Sequence, residues 1–131
     1  MKVDALIGIV GKLVFILLIS VAVGCKKEEP TTAKIVVINE DGTRVSGAIV
    51  HMFSAPDQSG DKVQRFDFTN TTDGSGEVLF DLSDFTMPGQ TGFAVLDLEV
   101  EATIEGVDYD GVGIVKVVEH EAVTEDVIVT P

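Results

Sequence analysis

Carboxylates at alternating positions are the first residues of this chain that could do chemistry. Between positions 96 and 105 every second residue is polar, and most of these residues are acidic. The acidic ones are Asp97, Glu99, Glu101 and Glu105. A period of two places them on one face of a half-buried β-strand, with neighbours about 6.6 Å apart. That spacing is loose for acid–base work or for one calcium ion. The pattern favours a charged outer face that keeps a sheet soluble.

A second acidic group follows directly in the sequence. Asp108-Tyr109-Asp110-Gly111 is faintly similar to a calcium-binding loop, but it lacks the third acidic ligand and the distal Glu of that motif. Its position between two predicted strands favours a hairpin turn. The weak candidates for a metal site are therefore Asp97, Glu99, Glu101, Asp108 and Asp110. We predict that the protein has no metal site and no cofactor.

The two histidines show no arrangement for nucleophilic catalysis. His51 lies in a predicted strand and His120 near the end of another. The sequence has no Gly-x-Ser-x-Gly elbow and no His-Glu-x-x-His motif. Its glycines lie in predicted turns and open no helix, so they predict no phosphate loop. We therefore predict that the protein is not an enzyme, and a small hydrolase is the least favoured hypothesis.

Composition limits the function further. The 131 residues leave room for one domain. Asp and Glu total 22 against 9 Lys and Arg, a formal charge of −13, which argues against a nucleic-acid partner. A single cysteine excludes an internal disulfide and a cysteine-based zinc site. Hydrophobic residues make up 45% of the chain, enough for a core.

The first 24 residues differ from the rest of the chain. Residues 13–23 form an uncharged apolar run. As a helix this run would be about 17 Å long, whereas a hydrocarbon core is about 30 Å thick. This length is typical of a signal-peptide core, so residues 1–24 are predicted to be a signal peptide. The alternative is an uncleaved anchor helix reaching back to Ala5, which would place Lys12 inside the membrane.

The only cysteine follows this apolar run. Ala22-Val23-Gly24-Cys25 resembles the lipobox of bacterial lipoproteins, with small residues at two positions and the looser Val23 at the third. The resemblance implies that Cys25 becomes a lipidated N-terminus carrying acyl chains such as palmitate, a lasting membrane anchor. The alternative is that Cys25 is an ordinary apolar residue at a helix end.

A polar tether is predicted over residues 25–32, since this stretch has few residues that could pack. Within it, Lys27, Glu28 and Glu29 resemble the surface-export signal of lipoproteins in some Gram-negative bacteria. That resemblance implies an outer-membrane lipoprotein exposed at the cell surface. The alternative is a plain hydrophilic spacer.

Residues 33–131 read as an all-β domain. Alternating segments are separated by turns rich in Gly, Asp and Pro, and helical periodicity is nearly absent. The predicted strands are 33–39, 48–54, 63–69, 77–82, 96–105, 112–118 and 124–129. They predict a seven-stranded antiparallel Ig-like or prealbumin-like sandwich. The predicted core residues are Ile35, Val37, Ala48, Val50, Phe66, Phe68, Val78, Phe80, Leu98, Val100, Ile104, Ile114 and Val127.

Two motifs carry a family resemblance that covers about residues 33–80. The first consists of Gly42, Val45, Gly47, Ala48 and Val50. The second consists of Thr72, Asp73, Gly76 and Phe80. Together they resemble the carboxypeptidase regulatory-like domain, a prealbumin-like and transthyretin-like family. The resemblance implies a non-catalytic accessory or adhesive module.

The sequence therefore predicts a surface lipoprotein anchored through Cys25 that serves a structural, adhesive or accessory binding role. Its expected partners are the membrane, through the lipid, and a surface protein complex or a glycan. Loops 55–62 and 83–93 are the predicted contact surfaces, because a rigid scaffold presents variable loops. The alternative is a carbohydrate- or calcium-binding module of a surface uptake complex.

Overall fold

The computed structural model describes residues 28–54, 66–85 and 92–131. These ranges contain seven strands, and no helix in them is long and apolar enough to cross a membrane. The strands are β1 Thr32–Asn39, β2 Ile49–Phe53, β3 Asp67–Thr71, β4 Glu77–Asp81, β5 Phe93–Ile104, β6 Val107–Val118 and β7 Ala122–Val129. The predicted all-β fold is confirmed. The predicted signal peptide, Cys25 and Lys27 lie outside the described residues.

The strands form two sheets, one of order β4-β1-β7 and one of order β3-β2-β5-β6. All pairs are antiparallel except β1 with β7, which run parallel. The parallel pair arises because β7 leaves its neighbour β6 and joins the opposite sheet. At its far end Thr130 exchanges two backbone hydrogen bonds of 2.9 Å with Asp110 of β6. β7 therefore links both sheets along one side of the sandwich.

The core lies between the sheets and comes from alternate residues of each strand. The predicted core residues that are buried are Ile35, Val37, Ala48, Val50, Phe66, Val78, Phe80, Leu98, Val100 and Val127. Phe68 and Ile104 are partly buried and pack against that core. Full burial of such side chains stabilises the fold by about 1.5–3 kcal/mol each.

Ile114 is the predicted core residue that the structure contradicts, because its side chain is 61% exposed. β6 pairs with β5 so that Gly113 lies opposite the buried Leu98. Residues paired across a ladder share a face, so Gly113 faces inward and Ile114 faces solvent. Val115 and Val117 take the core positions of β6 instead.

Two inward-facing glycines of β6 explain this reversal. A Cβ on Gly113 would lie 3.3 Å from Val127 Cγ2, and one on Gly111 would lie 2.5 Å from the backbone oxygen of Ile128. Both glycines leave room for β7 to pass close to β6. The glycines of this stretch therefore mark a close approach of two strands.

The turn between β5 and β6 is also not where the sequence predicts it. Ile104 pairs with Val107, so Glu105 and Gly106 alone form the turn, with φ of 51° and 81°. Positive φ at both positions is typical of a type I′ hairpin, which usually has Asn-Gly or Asp-Gly. Residues 108–111, predicted as the turn, lie inside β6 because Gly111 serves the contact with β7.

The motif residues of the family resemblance meet at one end of the sandwich. The Thr72 hydroxyl donates to the carbonyl of Val45 at 2.7 Å and accepts from the amide of Ala48 at 2.9 Å. Gly76, with φ of 72°, lies so close to the β1–β2 connection that a Cβ on it would be 2.9 Å from the backbone nitrogen of Val45. These contacts join the β1–β2 connection to the β3–β4 turn.

The opposite end of the sandwich holds the point where the chain enters β1. Thr31 is buried, its hydroxyl accepts from the amide of His120 at 2.9 Å, and its carbonyl accepts from the amide of Leu82 at 2.8 Å. Thr32 is already part of β1. The last two residues of the predicted tether therefore belong to the folded domain.

A pH-dependent contact lies at the end of β4. Asp81 accepts hydrogen bonds from the hydroxyl and the amide of Ser83 at 2.6 and 3.0 Å, which lower the pKa of the Asp81 carboxyl. Its contribution to stability is therefore complete above the unfolded-state pKa and is lost as pH falls through the folded-state pKa. We expect Ser83→Ala to raise the pKa of Asp81, as measured by a carboxyl NMR titration. A midpoint unchanged by Ser83→Ala would contradict this cause, and Ser75→Ala is the control.

Candidate functional site

The outer face of the four-stranded sheet gathers the acidic residues that the sequence singled out. All five weak metal candidates lie there, three on β5 and two on β6. Glu101 pairs with Asp110 across the two strands, whereas Glu99 pairs with Val112. Asp108 accepts a hydrogen bond of 2.9 Å from the Thr103 hydroxyl. The structure thus brings two of the five candidates into direct opposition and separates the others.

These carboxylates do not gather into a metal centre. The described ranges contain no group of three or more His, Cys, Asp or Glu residues placed to hold a metal ion. Like charges that lie opposite each other on paired strands, such as Glu101 and Asp110, destabilise the sheet locally. They also make the local potential negative, so this face attracts cationic groups.

His51 occupies the centre of the same face, on the interior strand β2. Its Nε2 lies 2.7 Å from Asp67 Oδ1 and its Nδ1 lies 3.7 Å from Glu99 Oε2. Its ring stacks on Phe53 with centroids 4.5 Å apart. Both ring nitrogens face carboxylates, and no hydroxyl or thiol of the described residues forms a hydrogen bond with them. The arrangement therefore lacks the nucleophile of a catalytic triad.

Apolar residues are exposed beside these charges, and the sequence pattern does not predict them. Ile49 of β2, Val95 of β5, and Val112 and Ile114 of β6 are 47%, 54%, 78% and 61% exposed. Of these residues, Ile114 is predicted in the core, so the pattern does not reveal this feature. Asp67 and Phe53 were not predicted as neighbours of His51. The β2–β3 register brings Asp67 there, and Phe53 lies two residues further along the same strand.

A depression of about 520 Å³ lies at the turn end of this sheet. Its lining includes Tyr109 together with the carboxylates of Glu101, Asp108 and Asp110. Tyr109 also packs against the core, and it pairs with Ala102 across the ladder. The depression offers carboxylate acceptors and one aromatic side chain.

Part of the predicted export signal is described. Glu28 and Glu29 are both exposed, and Glu28 Oε2 lies 3.9 Å from His120 Nδ1. They lie beside a second depression of about 310 Å³, which Glu119 and Phe85 also line. Both carboxylates are therefore accessible next to the point where the chain enters β1.

Comparison with known proteins shows a distant structural likeness. No family model matches the chain, and no curated protein matches it. Among solved structures, it is similar to the crystal structure of sea bream transthyretin in complex with thyroxine. The identity is 14%, the TM-score is 0.42, and the match covers 76% of this chain and 86% of that chain. The resemblance to the carboxypeptidase regulatory-like family remains a prediction from the two motifs.

Proposed function

We propose that this protein is a lipid-anchored, non-catalytic binding module of the bacterial cell surface, held to the outer membrane through Cys25. One structural observation supports the anchoring. Thr31 is the first buried residue of the part of the chain that the structure describes, and Cys25 precedes it by only six positions. Fully extended, those residues would reach about 20 Å. An acyl group on Cys25 would therefore hold the domain close to the bilayer.

With an anchor on Cys25, the end of the domain that holds Thr31 would face the membrane. Thr32 donates to the carbonyl of Glu121 at 3.1 Å, and Leu82 contacts Thr31, so the β4–β5 and β6–β7 connections begin there. Phe66, which follows the β2–β3 connection, contacts Phe85 with ring centroids 5.8 Å apart. The described residues that flank the predicted contact loops 55–62 and 83–93 thus lie at the tethered end, whereas residues 55–62 and 86–91 lie outside the described residues. In this arrangement, the sheet face and the opposite end remain for partners.

The experiment replaces Cys25 with serine in the full chain. We expect the membrane-bound fraction to fall at least about tenfold, because no acyl chain would be attached. Intact mass of the wild-type protein should show loss of residues 1–24 and an added acyl mass. Val23→Ala keeps the lipobox and serves as the control, which should stay membrane-bound.

Two outcomes would contradict the anchor. The first is that the Cys25→Ser variant sediments with membranes as the wild type does. The second is that the intact mass of the wild-type protein shows that Met1 is retained. Surface exposure is tested separately by protease treatment of intact cells. In that test, Glu28→Ala/Glu29→Ala should keep the acyl mass while losing protease accessibility.

Carbohydrate binding is the second candidate, favoured by the depression around Tyr109. Tyr109 borders the depression together with Glu101, Asp108 and Asp110, although its ring also packs against the core. The partly exposed ring could stack on a sugar while the carboxylates accept hydroxyl hydrogen bonds. A glycan array tests this candidate, with Tyr109→Leu as the variant expected to lose any signal. Calorimetry with calcium tests the calcium-binding alternative.

A further inference from the structure

We propose that the outer face of the β3-β2-β5-β6 sheet is a docking surface for a second protein, one that presents lysine or arginine side chains between aliphatic ones. The proposal builds on the binding role argued above and names the kind of partner. We call this surface the striped face. It comprises the outward residues of β2, β5 and β6.

The striped face has three adjacent columns. The column on β2 has the apolar Ile49 and Phe53 on either side of His51. The column on β6 has the apolar Val112 and Ile114 between Asp110 and Lys116. The column between them, on β5, is acidic and contains Asp97, Glu99 and Glu101. The register confirms this order, since Phe53 pairs with Asp97 and Asp97 pairs with Ile114. Neighbouring strands lie about 4.8 Å apart, so the columns are within reach of one partner surface.

Solubility alone explains the acidic column but not the apolar residues of the other two. Val112 and Ile114 are 78% and 61% exposed. They are neighbours on the outer face of β6, since they are two residues apart on that strand. Val95 extends this apolar area toward the tethered end. Contiguous exposed aliphatic side chains rimmed by polar groups are typical of protein interaction sites.

The negative charge of this sheet face favours a basic protein as the partner. The described outward carboxylates are Asp67, Asp97, Glu99, Glu101, Asp108 and Asp110, and the outward lysine is Lys116. Two copies of this chain meeting through the striped face would oppose five carboxylates with five, because Asp67 lies on the adjacent β3. Anionic lipid and nucleic acid are repelled for the same reason. A basic protein surface complements the acidic column, while its aliphatic groups cover the apolar residues of the other two columns.

The outer face of the other sheet provides a matched control. There Glu77 forms ion pairs with Lys34 at 3.5 Å and with Arg44 at 3.0 Å. Its exposed aliphatic residues, Leu79 at 56% and Ile128 at 55%, lie on β4 and β7 with β1 between them. This face has similar apolar exposure, but its Glu77 carboxylate, on the edge strand β4, is paired with two cationic side chains.

The test is site-specific photo-crosslinking of the full chain in cells that produce it, with the photoreactive residue at Val95. We expect an adduct with a different protein, whose cross-linked peptide contains lysine or arginine. Its yield should fall about tenfold in Val112→Thr/Ile114→Thr and in Glu99→Gln/Glu101→Gln. Leu79→Thr/Ile128→Thr should leave the yield unchanged. Circular dichroism melting confirms that each variant folds.

Three outcomes would overturn the docking surface. They are no adduct, an adduct with the mass of two copies of this chain, and an adduct that the charge and apolar variants leave unchanged. Membrane fractionation of the same cells separates this proposal from the lipid anchor. Suppose that this chain is found outside the membrane fraction and still forms an adduct whose yield falls in the charge and apolar variants. That result would support docking while contradicting the anchor.

Discussion

Replacing Gly111 with alanine is expected to lower the free energy of unfolding by about 3 kcal/mol or more. The added Cβ would lie 2.5 Å from the Ile128 backbone oxygen and 3.0 Å from Val129 Cγ1. The nearer atom belongs to the backbone, so no side chain can rotate away to relieve the contact. Two hydrogen bonds between Asp110 and Thr130 hold β7 in place beside it. Urea denaturation monitored by circular dichroism measures the loss.

Alanine substitutions at two other glycines provide controls for the stability change of Gly111→Ala. Gly74 has no neighbour within 4 Å of an added Cβ, so Gly74→Ala should change stability by less than about 0.5 kcal/mol. Gly113→Ala should fall between the two, because the three atoms nearest to its Cβ belong to side chains, the closest being Val127 Cγ2 at 3.3 Å. If Gly111→Ala and Gly74→Ala unfolded at the same urea concentration, the close approach of β6 and β7 would be refuted.

Thr72→Val is expected to destabilise the fold by about 2–4 kcal/mol. Valine has nearly the shape of threonine but lacks the hydroxyl, so the Val45 carbonyl and the Ala48 amide would each lose a hydrogen bond. Both residues are buried, and an unsatisfied buried polar group costs about 1–3 kcal/mol. Thermal melting of the two proteins measures the difference.

Two control variants separate the lost hydrogen bonds from changes in packing. Thr72→Ser keeps the hydroxyl and should retain most of the stability. Thr71→Val, at the exposed neighbouring position, should melt close to the wild type. A Thr72→Val protein that melts with the wild type would show that the hydroxyl does not hold the two turns together.

The strands themselves could be predicted because their signal is local. In β5, apolar and polar residues alternate over ten positions, and the structure buries Leu96, Leu98 and Val100 as that alternation requires. Thr72 and Gly76 were recognisable as motif residues because tight turns limit the residue types that fit. Their contacts with Val45 became visible only when the two turns came together.

β6 shows where local reasoning fails. In Val112-Gly113-Ile114 the large apolar residues occupy even positions, and the sequence analysis placed Ile114 inside. The inward positions hold glycines because β7 needs the space. A local pattern cannot distinguish a glycine that forms a turn from one that admits a neighbouring strand. The position of the β5–β6 hairpin was wrong for the same reason.

The candidate site also has a part that the sequence predicts and a part that only the structure shows. A period of two placed Asp97, Glu99 and Glu101 on one face without any structure. Their neighbours, His51 on one side and Val112 on the other, depend on register across strands distant in sequence.

The amino-acid sequence by itself determined the all-β character, the acidic charge and the side of β5 that its carboxylates occupy, because composition and alternation are local properties of the chain. The tertiary structure decided which residues of β6 face solvent, what surrounds His51 and which loops share an end with Thr31. These features depend on strand pairing and on the distance between the two sheets, and no short stretch of sequence specifies either.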